Sequence, residues 1–318
     1  MLYDTAMQII TNVSKILLLI ILSCSLLTTL YVGETNILNF TPSYSDESAS
    51  AESGESIWVS MRRDFKLDTR SQSAQVQAEI RKLLAEEGKL TQILQAAMPY
   101  IYFIHNQTKT RGLPAEIALI PVIESEFNPN DRSNKGATGL WQLMTVTAHE
   151  LGVKVRSGYD GRRNVVASTK AALAYFKDLG QMFKGNWYLA IAAYNCGQGR
   201  VQSAMRKKGS TSFWNLSLPK ETKYYVPRLL AVAAIIKNPE KYGVELPDVS
   251  NQPYFEEVKV SKPVNLEKVS KSAGVSIDTM HKLNPDYTHG SKPKTEAVTL
   301  LVPVDKAPVV KKQLNVQA

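Results

Sequence analysis

Between Ile57 and about residue 245 the chain is dominated by apolar residues at helical spacing, interrupted by short polar, glycine-bearing stretches. Segments patterned at about 3.6 residues per turn bury one stripe against other helices, so this stretch predicts one all-helical domain. Gln72 to Glu87 reads as a helix closed by Gly88, and Leu90 to Thr110 as a second closed at Arg111-Gly112. From Asn164 to Leu179 the residues Val165, Thr169, Leu173 and Phe176 recur every three or four positions, and Gly180 is expected to stop the run. Trp187 to Tyr194 and Lys220 to Ile236 add two apolar helices, the last closed by Asn238-Pro239. After Leu246-Pro247 the texture changes. Short β-type pieces at Phe255 to Val260 and Val298 to Pro303 bracket helical pieces at Leu266 to Ala273 and Ile277 to Leu283. The expected fold class is therefore mainly α, followed by a small α+β module in strand, helix, helix, strand order.

The length of 318 residues leaves room for two ordinary domains. With 44% hydrophobic and 21% charged residues, the composition excludes collagen-like, coiled-coil and wholly disordered classes. A net charge of +9 and a pI near 9.3 favour a polyanionic neighbour, which by charge alone could be nucleic acid, an anionic membrane or an acidic polymer. Cys24 and Cys196 form neither a disulfide framework nor a C-x-x-C pair. His149-Glu150 begins an H-E-x-x-H zinc motif, but position 153 is Val153. No metal and no cofactor are expected.

Residues 16 to 32, ILLLIILSCSLLTTLYV, carry no charge and follow Lys15. At a rise of about 1.5 Å per residue they cover roughly 25 Å, the short end of a bilayer core. An uncleaved anchor is favoured over a lipoprotein, because apolar residues continue past Ile21-Leu22-Ser23-Cys24. It is also favoured over a cleaved signal, because Tyr31 stands where a small residue is needed. The positive-inside rule then leaves Lys15 in the cytoplasm and the bulk of the chain outside. Residues 41 to 56 are Ser-rich and acidic, too polar to build a core, and read as a tether. The expected division is an anchor at 1–33, a tether at 34–56, the helical domain at 57–250, the module at 251–305 and a tail at 306–318.

Candidate chemistry lies in the interruptions. Glu124 directly follows the five apolar residues Leu119 to Ile123, where burial would raise its pKa and keep it protonated near neutrality, as a general acid requires. A partly exposed carboxylate at a helix end is the competing description. Glu126 is no partner to it, since residues two apart on a helix do not face each other. Ser133 to Met144, SNKGATGLWQLM, forms a glycine-bearing loop feeding an apolar segment with one amide and one aromatic. Ala193 to Gly199, AYNCGQG, ends an apolar helix with polar side chains and glycines that let backbone approach a ligand. Glu221 to Pro227, ETKYYVP, opens another helix with acid, hydroxyl and phenol groups. Together these describe a cleft for a neutral carbohydrate with one acid.

The series ESEF at 124–127, SNKGATGLWQLM at 133–144, AYNCGQG at 193–199 and ETKYYVP at 221–227 resembles the four-motif signature of the lytic transglycosylase family, over about residues 57 to 250. The resemblance implies a lysozyme-like helical fold, peptidoglycan glycan strands as partner, no nucleic acid, and a monomer in the periplasm held to a membrane by its N-terminal apolar segment. It implies Glu124 as the single acid/base in cleavage of the MurNAc–GlcNAc β-1,4 bond with formation of 1,6-anhydro ends. Ser133, Gln142, Met144, Tyr194, Asn195 and Tyr225 match positions that line the sugar cleft. Glu221 matches as well, either as a helix cap or as a supporting group in the cleft. Cys196 matches a variable position and is expected to be inert.

The last region, with Leu266-Glu267-Lys268-Val269, Ala273-Gly274-Val275-Ser276, Leu283-Asn284-Pro285 and Leu301-Val302-Pro303, resembles a single LysM glycan-binding repeat. It departs at Lys262-Pro263-Val264-Asn265 and at Lys292-Pro293-Lys294. Both a working glycan binder and a module that only packs on the helical domain remain open.

Overall fold

The computed structural model describes residues 54–157, 159–260, 264–290 and 298–314. The expected anchor, all but the last residues of the tether, residues 292–294 and the end of the tail lie outside the described residues. Among the described residues no helix is long and apolar enough to cross a membrane. The helical region begins with α1 (Ile57–Arg63), α2 (Ala74–Leu84), α3 (Lys89–Ala96) and α4 (Ile101–Thr110). A 3-10 turn at Ala115–Leu119 runs into the short α5 (Ile120–Glu124), and α6 (Thr145–Glu150) follows a long loop. The two-residue strands β1 (Val155–Arg156) and β2 (Tyr159–Asp160) pair antiparallel. Then come α7 (Val165–Met182), α8 (Trp187–Cys196), α9 (Gln198–Lys208) and α10 (Lys220–Lys237).

Local chemistry accounts for most of these boundaries. Ser73, Asn164 and Asn186 cap α2, α7 and α8 by accepting from backbone N–H groups three residues on. The stretch expected as one helix over Leu90 to Thr110 is two, parted at Met98-Pro99-Tyr100, because proline has no N–H to donate and restricts the residue before it. Gly88 does not close α2, which ends at Leu84, but stands at the start of α3 with φ +71°. Nor does Gly180 stop α7. A Cβ there would lie 2.5 Å from the Trp187 ring, so this glycine lets α7 and α8 pack closely. Helix α9 was not anticipated, since it buries only Val201 and Ala204 and its pattern is nearly all polar.

Helix α10 is the centre of the core. Every residue from Leu229 to Ile236 is buried, the signature of a helix surrounded by others. It packs against α2, α8, α5 and the 3-10 turn. Each of its large aliphatic side chains contributes roughly 1.5–3 kcal/mol by burial.

The terminal module pairs β3 (Phe255–Val260) antiparallel with β4 (Val298–Pro303), Phe255 opposite Pro303. It adds α11 (Leu266–Ala273), α12 (Ile277–Leu283) and α13 (Ala307–Gln313). The expected strand, helix, helix, strand order is present. Residues 307–313 are not a loose tail, however, because Ala307 and Val310 are both 0% exposed in the module's own core. Alternation along β4 sends Leu300 and Val302 into that core and Leu301 into the core of the helical region, together with Phe255 and Leu283. Phe103 meets Phe255 with ring centroids 5.3 Å apart, and Tyr100 donates to the Lys282 carbonyl at 2.8 Å. The first and last residues of the helical region run side by side. Ile57 N–H donates to the Val249 carbonyl at 2.8 Å, Asn251 N–H to Glu55 at 2.9 Å, and the Trp58 indole to Pro247 at 2.8 Å.

Candidate active site

Glu124 is the last residue of α5, carried on Ile117 to Ile120, all 0% exposed. Immediately after it the backbone leaves the helix. Ser125 and Phe127 both donate their N–H to the Pro121 carbonyl, and Glu126 and Phe127 adopt φ of +51° and +58°, rare for residues with side chains. This tight reversal buries Phe127 and leaves Glu126 in an ion pair with Lys89 at 2.6 Å. The Ser125 hydroxyl donates to the Leu140 carbonyl at 3.0 Å and so ties the end of α5 to the 133–144 loop.

That loop is shaped by glycine and by one buried arginine. Gly139 has φ +85° and lies against the Arg162 backbone, where a Cβ would come within 2.0 Å of the carbonyl oxygen. The Arg162 side chain, 3% exposed, forks onto Asp160 and donates to the Gly136 and Leu143 carbonyls at 2.8 and 3.1 Å. Inside the loop Ser133 Oγ accepts from Ala137 N–H at 3.0 Å. The Gln142 amide, at φ +45°, donates to the Gly139 and Asp131 carbonyls at 3.0 and 3.3 Å. The buried Trp141 indole is satisfied by Thr169 at 2.9 Å, and its carbonyl accepts from the Tyr194 hydroxyl at 2.7 Å.

The remaining two stretches meet the acid from α8 and α10. Tyr225 donates to Glu124 Oε1 at 2.6 Å. Burial pushes the phenols of Tyr225 and Tyr194 well above their usual range, so both stay protonated. Burial likewise pushes the Glu124 carboxyl up to about 7, against the Tyr225 hydrogen bond that favours the anion, while the charge of Glu221 adds to the rise. Tyr194 is fixed by stacking on Phe176, centroids 4.4 Å apart. Thr222, 0% exposed, donates to Asn195 Oδ1 at 2.7 Å and thereby turns the Asn195 amide toward Glu221 Oε1, 3.2 Å away.

A cleft of about 740 Å³ brings together Glu124, Ser133, Gln142, Met144, Tyr194, Asn195 and Glu221. Tyr225 sits behind Glu124 rather than on the cleft wall. Sequence reasoning did not single out Asp131, Tyr175 or Arg200, which also line the cleft, as does Thr222 of the 221–227 stretch. Tyr175 carried only a core-like helical position as its signal, and Arg200 lies on the unanticipated α9. Cys196, half-buried, lines the cleft too, and burial raises its thiol. A second cleft of about 620 Å³, between α2, α3 and α10, opens on the other side of Glu124, and Glu124, Ile123 and Asp131 line both. Among the described residues no group of three or more His, Cys, Asp or Glu could hold a metal ion. Chemically, the arrangement can deliver a proton from Glu124 into a cleft walled by amide, hydroxyl and aromatic groups.

Comparison with known proteins follows the same division of the chain. The family model described as the transglycosylase SLT domain matches residues 101–217, and the LysM-like domain of lytic transglycosylase MltD matches residues 254–317. The membrane-bound lytic murein transglycosylase D of Escherichia coli is 36% identical over 258 residues, 79% of this chain and 57% of that protein. A relative from Alteromonas named for tributyltin chloride resistance is 37% identical over 174 residues, 54% of this chain and 83% of its own length. Among solved structures, an inactive mutant of the lytic transglycosylase Slt of Pseudomonas aeruginosa aligns at 25% identity with a TM-score of 0.40, covering 58% of this chain and 32% of that one. The chain thus spans little more than half the length of the curated transglycosylase D proteins it matches. Its helical region with the motifs around Glu124, and the strand-bearing module after it, belong to the lytic transglycosylase family, an SLT domain followed by an MltD-type LysM-like domain.

Proposed function

We propose that the protein is a peptidoglycan lytic transglycosylase acting on the MurNAc–GlcNAc β-1,4 bond, with Glu124 as acid and then base. The observation that carries this reading is a carboxyl group raised by burial to about 7 and held by Tyr225 where two clefts meet. A polymer strand can pass on both sides of an acid so placed. Glu124 gives its proton to the glycosidic oxygen as the bond from C1 of MurNAc breaks. The resulting carboxylate takes the proton of the C6 hydroxyl as O6 closes on C1, giving the 1,6-anhydro sugar without consuming water. The substrate's acetamide steadies the oxocarbenium-like state, and Ser133, Gln142, Met144, Tyr194, Asn195 and Glu221 position the sugars. Residues 57–250 form the catalytic domain, and the LysM-like module runs from 251 through α13, past the boundary at 305 expected from sequence.

A second reading has one observation in its favour. Asp131 and Glu221 line the cleft beside Glu124, and a retaining, water-using muramidase needs a second carboxylate about 5 Å from its acid. Mass analysis of products from purified cell wall separates the two. Anhydro ends, one water lighter than reducing ends, support the transglycosylase; reducing ends alone support the muramidase. In the same proposal the protein works in the periplasm, held to a membrane by residues 1–33. Determining the mature N-terminus from cells tests that part.

A further inference from the structure

We propose that the second cleft recognises a carboxylate on the peptide stem of the glycan, through Arg228. This rests on the transglycosylase reading above. Glu79 on α2 has a side chain only 1% exposed, and its two oxygens hold two cations. Lys82 Nζ lies 2.5 Å from Oε1 and Arg228 Nε 3.0 Å from Oε2. One buried carboxylate set against two cations leaves the trio with a net positive charge on the cleft wall. The Arg228 side chain is 45% exposed and is anchored through Nε alone. No described residue accepts from its two terminal amino groups. A guanidinium so anchored presents a planar fork that matches a carboxylate bidentately.

Its place in the fold puts it in one cleft with the candidate acid. Arg228 follows Tyr225 by three residues on α10, so the two share a helix face, and Tyr225 holds Glu124. Both Arg228 and Glu124 line the same cleft. The same cleft is lined by Glu86, Lys89, Glu124, Glu126 and Asp131, with Glu126 paired to Lys89 at 2.6 Å. In this otherwise acidic lining the Lys82–Glu79–Arg228 trio is where an anion meets net positive charge. A neutral sugar needs no anchored cation pair. The peptide stems of peptidoglycan carry carboxylates and supply the anion.

The test is kcat/KM of the purified full chain on three glycan substrates: strands with free stem carboxylates, the same strands with those carboxylates amidated, and strands stripped of stems. The wild type is expected to prefer free over amidated stems by about tenfold, the size of one solvent-weakened charge-assisted hydrogen bond. Arg228→Ala should bring that ratio close to one, and Arg228→Lys should recover part of it. If Arg228→Ala does not fold, Arg228→Gln, which can still donate to Glu79, carries the same test. A wild-type enzyme that cleaves without the preference overturns the proposal alone. So does an Arg228→Ala variant that keeps the preference or falls equally on all three substrates. A wild-type enzyme that cleaves none of them overturns the transglycosylase reading together with the proposal.

Discussion

Glu124 is carried on an apolar segment and shares its cleft with Glu221, whose charge makes ionisation harder still. Its folded-state pKa of about 7 lies above the ordinary value of 4.5, so the native state binds this proton more tightly than the unfolded chain. The stability it lends is complete below about pH 4.5 and is lost as pH rises through 7. Glu124→Gln should therefore abolish lysis and raise the melting temperature at pH 8 more than at pH 4.5. The gain at pH 8 should be about 1–2 kcal/mol, less than the full shift because the residue is partly accessible. A variant that stays active, or one no more stable at pH 8 than wild type, would count against the assignment. Tyr225→Phe removes a donor to the anion, so the alkaline limb of the pH–rate profile should move to higher pH as kcat falls; a limb that moves down contradicts the geometry. Glu124 was legible in the sequence as a charge placed directly after an apolar run. Its partner Tyr225 was legible only through resemblance, because nothing local relates residues 101 positions apart.

The 133–144 loop shows the same limit among elements. Its glycines announced a turn, but what holds the turn is Arg162, more than twenty residues beyond Gly139 and bonded to backbone carbonyls, which leave no trace in sequence spacing. Two substitutions separate backbone strain from packing. Gly136 and Gly139 have nearly equal φ, +86° and +85°, yet a Cβ at 136 meets nothing and one at 139 strikes the Arg162 carbonyl. Gly136→Ala should cost about 1 kcal/mol in chemical denaturation, and Gly139→Ala at least twice that with a larger loss of kcat/KM. Equal effects would remove Arg162 as the clamp. Helix types were readable from periodicity, and the misplaced ends have physical causes: Pro99 divides one expected helix, and Trp187 packing lets α7 run through Gly180.

Taken together, the helical region and the module share buried surface. Phe255, Leu283 and Leu301 lie in the core of the helical region, and Tyr100 hydrogen-bonds the end of α12. A chain cut after residue 253 should expose Tyr100 and Phe103 and melt several degrees lower than the full chain. Unchanged melting would mean that the module contributes nothing to its neighbour. The module's strand order was legible from residue texture. Its contact face was not, since Phe255 and Leu301, which cross to the other core, differ from their neighbours on the strands only in parity. The paired segments at 55–57 and 249–251 carry a mechanical consequence. The two ends of the helical region leave from one edge, joined by two backbone hydrogen bonds with the Trp58 indole bond beside them. Tension drawn between the two ends of the helical region should open that edge one hydrogen bond at a time.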